Sequence, residues 1–208
     1  MNRNYLTIFA TLLLLNSSAS LAVPITSFND PSLTGAKTID FDNYTTNAYL
    51  NDFSVDVVSF HNEIQYGSNY FVSNAFLPGH SGNHIGLYGG GYVTFDGGVN
   101  AVAFSLGAIN NNWSIEAFSQ TGDSIEKLDI INPTCCSPKV YGFAANDIWG
   151  LRFTSVGTTL DVTVMDNFKY VVSVPEPFTS LLFAVGLVGI SLTSRRQLAN
   201  KSYLSSSR

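Results

Sequence analysis

Gly89–Gly107 reads GGGYVTFDGGVNAVAFSLG, and its reading decides the fold. Across Asn100–Leu106 the apolar side chains Val102, Phe104 and Leu106 recur at every second position, the period of a strand with one face on a core. Tyr92–Phe95 has the same β-branched and aromatic character, and Phe95-Asp96-Gly97-Gly98 between the two runs supplies turn residues. The stretch therefore predicts two short strands joined antiparallel at FDGG.

The same texture extends in both directions. Runs rich in strand-forming residues, separated by Gly, Asn, Asp, Ser and Pro, predict strands over Thr38–Phe41, Phe53–Phe60, Asn69–Val72, His84–Leu87, Trp113–Ser119, Ser124–Ile130, Val140–Phe143, Trp149–Thr154, Thr159–Val164 and Asn167–Val172. Gln120–Asp123 (QTGD) reads as an antiparallel turn. In TLDVTV, alternation places Leu160, Val162 and Val164 on the core side and Asp161 and Thr163 outside. Helical periodicity is almost absent and no fixed repeat occurs, which disfavours a solenoid. The expected fold is all-β, an antiparallel β-sandwich or jelly roll.

The two ends have a different character. Met1–Ala22 joins a basic residue, Arg3, to the apolar stretch Tyr5–Leu15 and a small-residue exit, the pattern of a cleaved secretory signal helix. Phe178–Thr193 is a 16-residue apolar run stopped by Arg195 and Arg196. As a helix it would reach about 24 Å, a marginal single span that snorkelling basic residues can extend. The expected organisation is a signal peptide over 1–22, a secreted β domain over 23–173 and a C-terminal segment over 174–208. The exported body lies outside the inner membrane and the basic tail inside.

Val174-Pro175-Glu176-Pro177, then the apolar helix, then Arg195-Arg196, closely resembles the PEP-CTERM sorting signal of Gram-negative bacteria. The resemblance implies processing near Pro-Glu-Pro by an exosortase, a membrane-embedded cysteine transpeptidase-like enzyme, after a transient stay in the inner membrane. It further implies delivery to the cell surface or extracellular matrix. Pro175 and Pro177 forbid helix through the motif and keep it extended, as a processing enzyme requires. A broader pattern, TIDFDNY near the start, Gly89–Gly107 and NWSIEAFSQTGD in the middle and MDNFKYV near the end, is similar to the jelly-roll ectodomains often attached to such tails. That similarity implies a fold and no activity.

Between Val23 and Val174 there are 14 acidic and 5 basic side chains, a net charge near −9 against −5 for the whole chain. Such a body repels nucleic acid and anionic lipid and suits cations or neutral glycans. If the first and last strands pair, Asp40, Asp42, Asp166 and Asn167 gather and offer oxygen ligands of the kind Ca²⁺ takes; Asp and Asn at strand ends and turns account for the same residues without a metal. His80 and His84, four apart amid glycines, read as loop histidines. Cys135 and Cys136 are the only cysteines. In an oxidising compartment they suit a vicinal disulfide or, alternatively, a bond to another chain.

Tyr88 and Tyr92 are the candidate glycan contacts, since aromatic faces stack on the apolar faces of sugars. Each also reads as a half-buried sheet tyrosine. No Gly-x-Ser-x-Gly elbow, His-Glu-x-x-His helix or phosphate loop is present. The chain thus reads as a non-enzymatic exported surface or matrix protein that binds exopolysaccharide. A secreted glycan hydrolase, with two opposed carboxylates, is the alternative; an ice-binding protein is a third reading, weakened by the lack of a regular Thr array.

Overall fold

The computed structural model describes residues 22–45, 49–50, 52–61, 70–73, 80–131, 135–157 and 161–173. The strands are β1 (Val23–Ile25), β2 (Lys37–Ile39), β3 (Tyr49–Leu50), β4 (Phe53–Val55), β5 (Val58–His61), β6 (Tyr70–Ser73), β7 (His84–Tyr88), β8 (Gly90–Gly107), β9 (Asn112–Phe118), β10 (Ser124–Ile130), β11 (Lys139–Val156) and β12 (Val162–Val172). A 3₁₀ turn over Pro31–Leu33 is capped by the Asp30 carboxylate, which accepts from the Ser32 N–H. Among the described residues no helix is long and apolar enough to cross a membrane. Residues 1–21 and 174–208, on which the expected signal peptide and the expected sorting signal fall, lie outside them.

Every pairing is antiparallel, and the strands form one hydrogen-bonded network. Two long strands fold that network into two layers. β8 and β11 run side by side for most of their length, with Gly142 opposite Ala103 at one end and Arg152 opposite Tyr92 at the other. Between these stretches the register shifts twice, from Ala144 to Ile148 and from Ile148 to Gly150. The surplus residues fall first on β11 and then on β8. Gly97, Gly98 and Asp147 have φ values of 83°, 74° and 67° there, so both strands bulge and bend at one level.

FDGG is therefore a corner inside β8 and not a hairpin: its flanks pair with the same neighbour, β11, rather than with each other. The predicted pairs Tyr92–Phe95 with Ala101–Leu106, Val140–Phe143 with Trp149–Thr154, and Thr159–Val164 with Asn167–Val172 each contribute to one long strand. At Gly98 the corner requires glycine twice over, because of its positive φ and because a Cβ would stand 2.8 Å from Asp147 Oδ1 and 3.2 Å from Trp149 Nε1. QTGD does join β9 to β10, with Gly122 N–H bonding the Ser119 carbonyl.

The first layer is β4, β5, the start of β8, the end of β11, β9 and β10. The second is β1, the start of β11, the end of β8, β12, then β7 and β2 on the far edge of β12, followed by β6 and β3. Their inner faces meet in a core containing Phe60, Val93, Ile115 and Phe153 from the first layer and Val102, Phe104, Leu106 and Phe168 from the second. Phe104 and Phe153 make an edge contact across it with centroids 5.2 Å apart.

The two outer faces are treated differently. On the second layer, Ala101 and Ala103 face outward and are covered by the N-terminal segment through Ile25 and Leu33, with Phe28 and Ala36 packed alongside. The first layer has no such apolar cover among the described residues. Alternation in β12 also differs from the expectation: Asp161 and Thr163 are buried, and Leu160 lies outside the described residues. Thr163 Oγ1 donates to the Gly107 carbonyl at 2.9 Å, and Asp161 collects three donors at 2.9–3.0 Å. Inward polar residues are stable here because each has partners.

Candidate functional site

The first layer's open face is built by alternation. Phe60, Val93, Leu151, Phe153, Ile115 and Ala117 point inward, so the residues between them point out. Register aligns one outward row across five strands: His61 opposite Tyr92, Tyr92 opposite Arg152, Arg152 opposite Glu116, and Glu116 opposite Lys127. Four inter-strand spacings give the row a span of roughly 19 Å, enough for several sugar rings. Thr94, Ser59 and Phe118 flank it on one side, and Thr154, Ser114 and Asp129 on the other.

The row is ordered by its own contacts. His61 stacks on Tyr92 with ring centroids 4.5 Å apart and planes 13° from parallel. The same imidazole bonds Thr94 Oγ1 through Nε2 at 2.8 Å and faces Asp52 through Nδ1 at 3.5 Å. Tyr92 is thereby held in one orientation. Arg152 lies 3.8 Å from Glu116, a solvent-exposed pair worth little to stability and free to exchange partners. Phe118 lies over Gly150, where a Cβ would collide with the ring. Glycine at 150 thus lets an aromatic face lie flat on the sheet.

The predicted glycan tyrosines do not form one site. Tyr92 belongs to this row, while Tyr88 pairs with Val162 on the second layer and is 44% exposed there. His61, Arg152, Glu116 and Phe118 were not singled out as glycan contacts from sequence. Their only signal was strand parity, and seeing the row required knowing which strands are neighbours.

The predicted closing-strand cluster is brought together. β2 and β12 pair antiparallel, with Ile39 opposite Phe168. Asp42 Oδ1 accepts the Asn83 N–H at 2.7 Å, and Asp166 Oδ2 accepts the Ser81 N–H at 3.2 Å, so both carboxylates tether the same loop. Asp40 Oδ1 accepts the Asp42 N–H, and Asn167 donates to both oxygens of Asp166 through its N–H and side-chain amide. Burial pushes the Asp166 carboxyl up to about 6 despite the Asn167 and Ser81 N–H groups, and the charges of Asp42 and Asp40 push the same way. Among the described residues no three His, Cys, Asp or Glu side chains are close enough to hold one metal ion. Cys135 and Cys136 are bonded to each other in an exposed turn between β10 and β11.

No protein-family model matches the chain, and no curated protein matches it. Among solved structures, the family 11 carbohydrate-binding module of a Clostridium thermocellum cellulosomal cellulase is 14% identical, with a TM-score of 0.35 over 68% of this chain and 97% of that one. The same type of module from that organism, in complex with a β-1,3-1,4-mixed-linked tetrasaccharide, matches at 14% identity and a TM-score of 0.35, over 68% and 98%. An exo-β-agarase matches at 8% identity and a TM-score of 0.37, over 74% of this chain and 26% of that one. At these TM-scores the likeness is loose, and the reading of the site rests on the chain's own residues.

A hydrolase needs two opposed carboxylates across a cleft. The half-open hollow beside β2, about 360 Å³, is lined by Thr38, Asp40, Phe41 and Tyr44 among others and contains a single carboxylate, Asp40. The open row holds Glu116 on a sheet face.

Proposed function

We propose that the protein is an exported, non-enzymatic surface or matrix protein that binds exopolysaccharide along the outer face of its first layer. The observation that carries the binding role is the ordered row His61–Tyr92–Arg152–Glu116–Lys127 on an outer face that has no apolar cover among the described residues. Sugar rings stack on Tyr92, and Phe118 offers a second apolar surface. Arg152, Glu116 and Thr94 supply the hydrogen bonds that orient hydroxyl groups. In this reading the body is a jelly-roll domain of the kind attached to PEP-CTERM tails, with an exosortase as its processing partner.

Binding is tested by affinity electrophoresis of the protein on neutral matrix polysaccharides. Retention by the wild type and an approximately tenfold or greater weakening in Tyr92→Ala, about 1.4 kcal/mol or more, is the expected result. Phe118→Ala should weaken it less. Wild-type migration unaffected by every polysaccharide would end the binding role. Sorting is tested separately in the native bacterium by replacing Pro175-Glu176-Pro177 with three alanines. The wild type should lose its tail near this motif and reach the matrix, whereas the variant should keep Arg208 and stay in the membrane fraction. Wild-type protein that also retains Arg208 would remove the sorting role.

A further inference from the structure

Behind the second layer, on the side away from the core, lies a buried polar cluster that the sugar-binding row does not use. Ser105 is the cross-strand partner of Asp166, and both are at least 96% buried. They share the outward parity of Ala101 and Ala103. Ile85 pairs with Met165 on the inner face, so His84, one residue earlier, points outward on the same side as Asp166. His84 begins strand β7 and is 1% exposed; it is not a loop residue. The loop containing His80 covers the cluster, and His80 Nε2 bonds Ser105 Oγ at 2.8 Å.

Three nitrogens in this cluster have no hydrogen-bond partner: both ring nitrogens of His84 and Nδ1 of His80. A buried imidazole with neither nitrogen satisfied is costly, and such groups in native proteins are explained by a water or an ion. The two rings are 5.5 Å apart between centroids and tilted by 54°. Two imidazoles sharing a tetrahedral ion, with bonds of about 2.0–2.1 Å, place their centroids roughly 5–6 Å apart. We propose that His80 and His84 are the two protein ligands of a divalent metal ion of the zinc class.

Imidazole nitrogen selects zinc, nickel or copper over the oxygen-seeking Ca²⁺ and Mg²⁺. Both rings are in the form that binds metal at neutral pH: burial pushes the His80 imidazole down to about 4, with its neighbour His84 adding to the effect, and burial pushes His84 down as well. The hydrogen bond from His80 Nε2 to Ser105 orients that ring and leaves Nδ1 for the metal. His80 is half-buried as a residue, but its Nδ1 and both His84 nitrogens are buried, so the ion is held inside the cluster. Asp166, on the same face in the neighbouring strand, supplies the compensating negative charge.

The test is a Zn²⁺ titration of the untagged full chain, stripped of metal with EDTA and followed by calorimetry, with X-ray absorption at the zinc edge. One Zn²⁺ per chain, two imidazole nitrogens at about 2.0 Å and no displacement by millimolar Ca²⁺ are expected. His80→Gln should weaken binding at least ~100-fold, while Tyr92→Ala leaves it unchanged. No stoichiometric binding by the wild type, fewer than two imidazoles in the absorption spectrum, or full affinity in a folded His80→Gln variant would each overturn the assignment. The absorption spectrum uses the wild-type chain, so it decides the question even if the variant does not fold.

Discussion

Asp161→Ala is expected to destabilise the body by about 3–4 kcal/mol, read as a lower urea midpoint with an unchanged slope. Asp161 is 5% exposed. Its Oδ2 accepts from the Asn110 N–H at 3.0 Å, the Asn111 N–H at 2.9 Å and the Trp113 indole N–H at 2.9 Å, and its carbonyl accepts the Gly89 N–H. One side chain thus ties the loop after β8 to the start of β12 and satisfies the indole of a buried Trp113. Truncation leaves that indole without its acceptor, and a hydrogen bond to a charged group is worth about 1.5–3 kcal/mol. Asp161→Asn keeps an acceptor oxygen but sets an NH₂ against these donors, so its loss should fall between wild type and Ala.

The same residue sets an acid dependence. Burial alone would raise the Asp161 carboxyl, but the N–H of Asn111, the Trp113 indole and the N–H groups of Asn110 and Val162 outweigh it and hold the group below its ordinary value of 3.8. A carboxyl lowered in the folded state contributes stability that is complete above the unfolded value and is lost as pH falls through the folded one. The difference in stability between wild type and Asp161→Asn should therefore shrink below about pH 4. A difference that stays constant from pH 7 to pH 2 would remove the network from the account of stability.

Phe168→Ala is expected to cost about 3–5 kcal/mol, the range for deleting a fully buried phenylalanine. Phe168 is 0% exposed and lies where the layers meet: its ring is 5.7 Å from Phe104 in a stacked arrangement, 5.4 Å from Phe60 edge-on and 6.3 Å from Phe95. Removing it opens a cavity bounded by rings from both layers, which rigid strands on either side cannot close. Phe168→Leu should recover most of the loss, leaving about 1–2 kcal/mol. Thermal and urea unfolding measure both. Polysaccharide retention per folded molecule should be unchanged, because Phe168 faces the core and the row faces solvent. A cost below 1 kcal/mol for the alanine variant would mean that the layers do not meet at this ring.

Alternating apolar residues and turn clusters were enough to establish an all-β antiparallel body and the positions of most strands, because a strand's period of two is written locally. Local pattern also marked QTGD as an antiparallel turn; pairing of the first strand region with the last was only a condition for gathering the acidic cluster, and β2 and β12 meet it. It could not tell a hairpin from a corner at FDGG, since the same glycines serve both; only the shared neighbour β11 distinguishes them. It misplaced Asp161 and Thr163, because hydropathy assigns a polar residue outward and cannot see partners more than 45 residues away in sequence. The bulge at Asn167, with φ 53°, then shifts parity so that Met165 and Phe168 both reach the core. The row from His61 to Lys127 draws on five strands whose members run from residue 61 to residue 152 in the sequence, so only the register of tertiary pairing brings it into a line. The sequence by itself determined that strands form, and it carries the proposal of export and sorting through two end segments that lie outside the described residues. Which polar residues are buried, and which face remains open, was decided by long-range hydrogen bonds and packing that no local window contains.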